Sequence, residues 1–413
     1  MGLWLKLALR NAARNIRRSG LTALTVIVAT ALYTVTSAWI QGMFGGMTTQ
    51  FTAVSGHIRL VDADFAAREE LQPLYENIPD VAPLLEAARA TPGVVAAEPR
   101  ITTGVALTRD EALGEDFALL VGGTDTYYRE RLKGPEAIVS GRWLSGKAGE
   151  VVLGRITARD TGSAVGEEIL LLGQTQHGSM APINAKVVGV VAGDAMMEQQ
   201  AFVTLEEAQW MLDLEGGAME VLVYAASLEP EDVAPVAARL AALPQSGALI
   251  ARPWYTQDPW AVLVGIIDAV RLFIQLLIVF IASLAIFNTM TMSVVERTEE
   301  IGVMRAMGLS GAGAVGLFAV EAAAIGAVGG VLGAALGALP ALYLQIHGVT
   351  LAEDFAERMA SVLPVRTTFY AQLTPDILIQ AALLGLVIAL LGALIPSMRA
   401  ASVQPVTAMR RRQ

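Results

Sequence analysis

Four apolar runs decide what this chain can become: residues 21–44, 272–295, 315–344 and 377–395. Each is long enough to cross hydrocarbon, which takes about 20 helical residues at about 1.5 Å apiece. Between the first and the second lies a stretch of about 200 residues with ordinary globular composition. Over its 413 residues the chain is 54% hydrophobic and only 16% charged, with a mean hydropathy of +0.52. That is too apolar and too sparsely charged for a soluble enzyme. The predicted fold class is therefore a membrane protein of four transmembrane α-helices, with a large α+β extracytoplasmic domain inserted between helices 1 and 2.

Orientation follows from basic residues beside the spans. Lys6, Arg10, Arg14, Arg17 and Arg18 precede the first span, and Arg399, Arg410, Arg411 and Arg412 follow the last. Both termini are predicted to be cytoplasmic, which requires an even number of spans. The expected division is a cytoplasmic amphipathic helix (1–20), span 1 (21–45), the insert (46–262) and a stalk with span 2 (263–295). A cytoplasmic segment (296–310), span 3 (311–345), an outer loop (346–375), span 4 (376–396) and a cytoplasmic tail (397–413) follow. The first run is longer than a signal-peptide core and lacks a small-residue cleavage site, so it reads as an uncleaved anchor. The net charge of −10 sits mainly in the insert, where Asp and Glu outnumber Lys and Arg about twofold. An acidic exported domain argues against a nucleic-acid partner. The chain has no cysteine, so neither a disulfide framework nor a thiolate metal site is available.

Within the insert, β-rich runs bounded by Gly, Asp and Pro recur at 56–60, 94–101, 117–123, 137–141, 150–154, 168–173, 185–191 and 220–225. Helical patterns occupy 80–91, opening with Asp80 as cap, and 205–214 and 229–243. This is an α+β pattern with room for two subdomains and no repeat period.

The segment between the second and third runs, ERTEEIGVMRAMGLS (296–310), is charged and must lie outside lipid. Ile301, Val303, Met304, Met307 and Leu309 recur among its charges with the spacing of a short helix lying against another surface. A helix pinned between two spans is a lever, because whatever grips it moves both. Immediately after it, Gly311, Gly313 and Gly316 spell GxGxxG. The dinucleotide fingerprint needs a strand before and a helix after within a βαβ unit, so here the match is a decoy. No GxxxxGK[ST], HExxH or GxSxG occurs, and His57, His177 and His347 are far apart. No catalytic constellation emerges and no metal site is expected.

In the third run Gly329, Gly333 and Gly337 recur every four residues. Small residues at that spacing let helices approach backbone to backbone where lipid supplies no hydrophobic drive; the plain alternative is the general enrichment of glycine in spans. Glu321 is a carboxylate inside a span, costing about 2.5–3.5 kcal/mol on insertion scales if exposed as an anion. It is expected either to face the helix bundle as a functional group or to satisfy a neighbouring helix end. Asp268 and Arg271, three apart, either pair on one helix face or mark the interface where span 2 continues as a stalk. The N-terminal LKLALRNAARNIRRSG has the pattern of an amphipathic helix on the inner leaflet, or of a plain topogenic flank.

ERTEEIGVMRAMGLS resembles the signature of FtsX-like/MacB-like ABC transporter permeases, roughly ER-x-x-EIG-x-x-RA-x-G. The matching residues are Glu296, Arg297, Glu300, Ile301, Gly302, Arg305, Ala306 and Gly308. The closing PSMRAASVQPVTAMR (396–410) is similar to that family's P-x-x-RA-x-x-x-x-P-x-x-x-LR, with Met409 in place of Leu, and LALRNAARNIRRS resembles its N-terminal helix. Glu321 and the glycine ladder also match its third span. SGHIRL, TPGVVAAEPR and KVVGVVAGDAMMEQQAFVTLEEAQWML look most like lipoprotein-releasing (Lol-type) permeases. The resemblance implies that 296–310 is a coupling helix seated on cytoplasmic ABC ATPase subunits, which would bind ATP and Mg, leaving this chain without a cofactor. It also implies a dimer with a second copy or a paralogue in the bacterial inner membrane, with mechanical work done on the outer side. Release of lipoproteins, with a periplasmic carrier, is the favoured task. Efflux with a periplasmic adaptor and outer-membrane channel, and control of a cell-wall hydrolase, are the alternatives.

Overall fold

The computed structural model describes residues 16–69, 73–109, 116–193, 195–257, 260–350 and 368–402. Residues 1–15 of the expected amphipathic helix, most of the loop at 346–375 and most of the tail lie outside the described residues. In chain order, α1 (Ile16–Ser55) leads into β1 (Ile58–Asp62), α2 (Ala63–Ala67), α3 (Ala82–Ala90), β2 (Val94–Thr108) and β3 (Asp116–Gly123). Then come β4 (Ile138–Gly141), β5 (Glu150–Gly154), α4 (Arg155–Asp160), β6 (Glu168–Gln174), β7 (Met180–Val191), α5 (Ala195–Glu198) and β8 (Gln200–Thr204). The insert finishes with α6 (Leu205–Leu212), β9 (Glu220–Ala225), α7 (Pro230–Ala241) and β10 (Leu249–Pro253). α8 (Trp260–Glu296), α9 (Thr298–Ala306), α10 (Gly311–His347), the short strands β11 (Val349–Thr350) and β12 (Thr368–Phe369), and α11 (Pro375–Ala401) follow. Two compact units result, one from the chain up to Gly46, Gly265–Thr350 and Thr368 onward, the other built on Met47–Val264.

The first unit is a bundle. α1, α8, α10 and α11 are long and apolar enough to cross a membrane, so the chain is a multi-pass membrane protein. All four outrun the apolar windows of the sequence; α1 reaches Ser55 and α8 begins at Trp260. Hydropathy marks only the part of a helix that lipid covers, and helical hydrogen bonding does not stop there.

The ladder on α10 does pack. A Cβ added at Gly329 would meet Val26 Cβ at 2.9 Å, at Gly333 Ile27 Cα at 3.0 Å, and at Gly337 Ala31 Cα at 2.8 Å. All three contacts lie on α1. A second stripe, Gly326 and Gly330, faces α11, where Gly330 Cα lies 2.5 Å from a Cβ placed on Gly385. Small residues on both sides of α10 thus bring two neighbouring backbones into contact. Val26, Tyr33, Ile286, Phe318 and Ile388 share the buried core of the bundle.

The second unit is a ten-stranded mixed sheet with order β10-β1-β9-β2-β3-β8-β5-β7-β4. β6 pairs with both β2 and β7. The pairings β2–β3–β8–β5–β7–β6–β2 therefore close a six-stranded ring, while β10, β1 and β9 extend from the first half of β2 as an open arm. Closure removes the exposed edges those strands would otherwise carry. Ile101, Leu120, Val151, Leu153, Ile169 and Val187 belong to one buried core. Tyr127, Tyr128, Trp143, Phe202 and Tyr224 belong to another. Arm and ring share β2, so the pairing is continuous where the sequence left room for two subdomains.

Three readings of the insert need correction. β8 and β10 carried no expectation; each has five residues, and β10 ends in Pro253, tolerated because the strand is an edge. β2 and β7 run longer than their apolar cores, to 15 and 12 residues, because paired neighbours extend them. Asp80 is not the cap of α3: Val81 holds that position with no side-chain cap bond, and Pro83 in the first turn suits a helix start by its fixed φ.

Candidate coupling site

The segment 296–310 folds as a short helix, α9, between two tight junctions. Glu296 is the last residue of α8, and Arg297 breaks the helix at φ −97° and ψ 12°. Glu299 and Glu300 lie in the first turn of α9 and Arg305 in the last, each complementing the helix dipole. At the other end the Gly308 N–H donates to Arg305 O at 3.1 Å and the Leu309 N–H to Met304 O at 3.0 Å. These are the two bonds of a Schellman stop, whose turning residue must be left-handed; Gly308 supplies φ +103°. Ser310 then caps α10, its hydroxyl accepting from the Gly313 N–H at 3.0 Å. The glycines of the GxGxxG decoy are thus the first turns of a membrane helix.

Two side chains fasten α9 to the bundle. Arg297 Nη1 donates to Glu321 Oε2 on α10 at 3.2 Å; Glu321 is buried and the Arg297 side chain is partly so. Arg305 Nη1 donates to the main-chain oxygen of Ala401, the last residue of α11, at 2.5 Å. Ile301 and Gly302 are buried as well, Ile301 within the core of the bundle.

The opposite side is open. Glu296, Glu299, Glu300, Val303, Ala306, Met307 and Gly308 are exposed, with Met307 77% accessible. Residues 299/300, 303 and 306/307 recur at i, i+3/4 and i+7, so they form one helix face. The apolar residues of the segment therefore serve two surfaces: Ile301 points into the bundle, whereas Val303 and Met307 point away. The sequence reading had grouped them on a single face. Helix periodicity alone does not say which of two apolar stripes is the buried one.

Glu321 is 4% exposed and ion-paired with Arg297, the residue at the junction of α8 and α9, so the carboxylate is buried and meets a neighbouring helix end. Asp268 and Arg271 approach at 4.0 Å, but Arg271 Nη2 also donates to Gln41 Oε1 on α1 at 2.8 Å. Sequence reasoning missed a polar knot in the bundle: Tyr33 OH donates to Gln380 Oε1 at 2.9 Å and Gln275 Nε2 to Tyr33 OH at 3.4 Å. A tyrosine or glutamine in each of three separate apolar runs, at 33, 275 and 380, was the available signal.

This geometry defines a class: a helical membrane bundle with a strapped external helix between two spans and a large sheet domain inserted after the first. The MacB-like periplasmic core domain model matches residues 19–243, more than half of the chain, and the FtsX-like permease C-terminal model matches residues 272–405. The chain belongs to the FtsX-like permeases that carry a MacB-like periplasmic core domain. A curated relative, the ABC transporter permease YtrF of Bacillus subtilis strain 168, is 46% identical over 54 residues, 13% of this chain and 12% of that protein. Among solved structures, the extracellular domain of the noncanonic ABC-type transporter YknZ from Gram-positive bacteria aligns at 12% identity and TM-score 0.34, covering 47% of this chain and 97% of that one. The periplasmic region of MacB from Actinobacillus actinomycetemcomitans aligns at 11% identity and TM-score 0.35, covering 49% and 91%.

Proposed function

We propose that this chain is the membrane subunit of an ABC transporter of the bacterial inner membrane, with both termini cytoplasmic. A separate cytoplasmic ATPase seats on the exposed face of α9 and binds the ATP and Mg. Its closure pushes α9, and the push enters α10 through Arg297–Glu321 and α11 through Arg305–Ala401. The observation that carries this reading is the division of α9 into an exposed acidic–apolar face and a buried face bonded to two spans. The signature residues divide accordingly: Glu300 meets the motor, whereas Arg297 and Arg305 pass its motion on.

The work is conformational and is done in the insert, and a second copy or a paralogue completes the transporter. Three polar side chains of the spans support this, because Tyr33 bonds both Gln275 and Gln380 within the bundle. Extraction of lipoproteins toward a soluble periplasmic carrier is the favoured task, on the likeness of SGHIRL, TPGVVAAEPR and residues 186–212 to Lol-type permeases.

The test is co-purification of the ATPase with Glu300→Lys/Met307→Asp and with Arg305→Ala. The first variant should lose the ATPase; the second should keep it and lose substrate-stimulated hydrolysis. Full retention and coupling in both variants, or nucleotide hydrolysis by the purified chain alone, would overturn the reading. ATP-dependent release of a triacylated lipoprotein from proteoliposomes to a carrier tests the task separately.

A further inference from the structure

The last carbonyls of a helix have no partner within it. Two of those of α1 are met by groups from the insert. Ala53 O accepts from Tyr224 OH at 2.9 Å, and Val54 O accepts from Tyr127 OH at 3.1 Å and from Arg100 Nη1 at 2.5 Å. Arg100 is buried and itself held: its Nε and Nη2 lie 2.8 and 2.7 Å from Glu220 Oε1. The other oxygen of Glu220 takes Arg59 Nε at 2.5 Å. A fixed cation at a helix C-terminus also suits its dipole.

This arrangement surrounds a joint. α1 ends at Ser55, Gly56 turns the chain at φ +73°, and β1 begins at Ile58 between β9 and β10. Gly56 and His57 are the whole link between helix and strand, and Gly56 is its swivel, because glycine crosses between φ regions at little cost. Arg100 sits at the branch of the sheet, paired with Glu220 on the arm side and with Gly123 on the ring side. Its guanidinium therefore ties the end of α1 to the strand that arm and ring share. Phe51 of α1 stacks on Trp260 of α8 at 4.6 Å, so the first residue of α8 holds the same end of α1 from another side.

We propose that Arg100, anchored by Glu220 and assisted by Tyr127 and Tyr224, locks the Gly56 joint, so that the end of α1 from Met47 onward and the sheet move as one piece. Arg100 is then a positioning residue for the transmission of work into the insert. Its part in transmission rests on the function proposed above; its part as a lock does not. An arginine is needed because three separate donors must reach Val54 O and Glu220 together, which a lysine cannot do from one point charge.

The absence of cysteine from the chain makes the test clean. Spin labels at Thr49→Cys and Val139→Cys, both exposed positions, report the distance between the end of α1 and the sheet in the full chain in nanodiscs. The backgrounds are wild type, Arg100→Met, Arg100→Lys and Tyr127→Phe/Tyr224→Phe. Without nucleotide, all three variants are expected to broaden the distance distribution. Amide exchange over residues 51–57 should rise by about tenfold or more while β3 and β8 keep their protection, the mark of local opening. With the ATPase and ATP, hydrolysis should persist and the nucleotide-driven distance change should shrink. Unchanged distributions in the tyrosine pair and in Arg100→Lys would overturn the proposal. So would an equal loss of protection across the whole sheet in every variant, which would assign these residues to fold stability alone. If the wild-type chain binds no ATPase, the functional reading fails while the nucleotide-free comparison still decides the lock.

Discussion

Arg297, just ahead of α9, and Glu321, within α10, lie 24 positions apart and meet at 3.2 Å, with Glu321 buried and the Arg297 side chain 13% exposed. Such a pair is costly to break and cheap to replace whole, because removing one partner strands the other charge. Arg297→Met alone is expected to destabilise the bundle by about 3–5 kcal/mol. Arg297→Met/Glu321→Leu should recover most of that loss. Denaturant titration of the detergent-solubilised chain reads both; a double variant no more stable than the single one would contradict the pairing.

The glycines of α10 separate by environment, which gives a paired test. Gly333→Val forces a side chain against Thr30 and Ile27 of α1, so a loss of about 1–3 kcal/mol or more is expected. Gly316, in the same helix, has nothing within 4 Å of an added Cβ. Gly316→Ala should be neutral or stabilising by up to about 1 kcal/mol, the ordinary gain in helix propensity. Thermal unfolding of the two variants side by side checks the ranking.

Much of the bundle was legible in the sequence because lipid imposes a simple rule on composition, and the ladder at Gly329, Gly333 and Gly337 named its own packing face. What the ladder faces was not legible, since nothing in its spacing says that Val26, Ile27 and Ala31 lie opposite. The same limit governed the coupling segment: its signature was readable, but Ala401 O, the acceptor for Arg305, is a backbone atom that leaves no mark in sequence. The ring closed through β6 was hidden because non-local pairing of β2 with β6 follows from no local pattern. Nothing in the sequence pairs Arg100 with Glu220; only the register of β2 and β9 brings them together.

Acid should weaken the insert in two steps. His57 accepts the Ala225 N–H on Nδ1 at 3.0 Å. Burial first, and then Arg131, disfavour its cation and push its pKa down to about 4. In the unfolded chain it protonates near 6.5, so unfolding takes up a proton between those values and stability falls as pH drops from about 6.5 to about 4. Burial alone would raise the Glu220 carboxyl, but Arg100 and Arg59 overcome it and hold the pKa at about 2. Stability due to that carboxylate is complete above 4.5 and is lost between about 4.5 and 2. Thermal unfolding across pH should show both limbs, and His57→Asn should flatten only the upper one.

Gly308 sets the angle at which the lever leaves its helix, and its φ of +103° is one that side chains resist. An added Cβ there meets no neighbouring atom within 4 Å, so a substitution is opposed by backbone strain alone and not by crowding. Gly308→Ala is expected to cost about 1–2 kcal/mol, the usual penalty for a left-handed residue with a Cβ. Gly308→Asn should cost less, since asparagine visits that region more readily. The strain can be relieved only by opening the Leu309–Met304 and Gly308–Arg305 bonds, which frees the last turn of α9 and loosens Arg305 from Ala401. The alanine variant should therefore keep the ATPase bound through Glu300 and Met307 yet lose substrate-stimulated hydrolysis, with asparagine between it and wild type. Equal coupling in all three proteins would show that the stop of α9 has no part in passing the motion on.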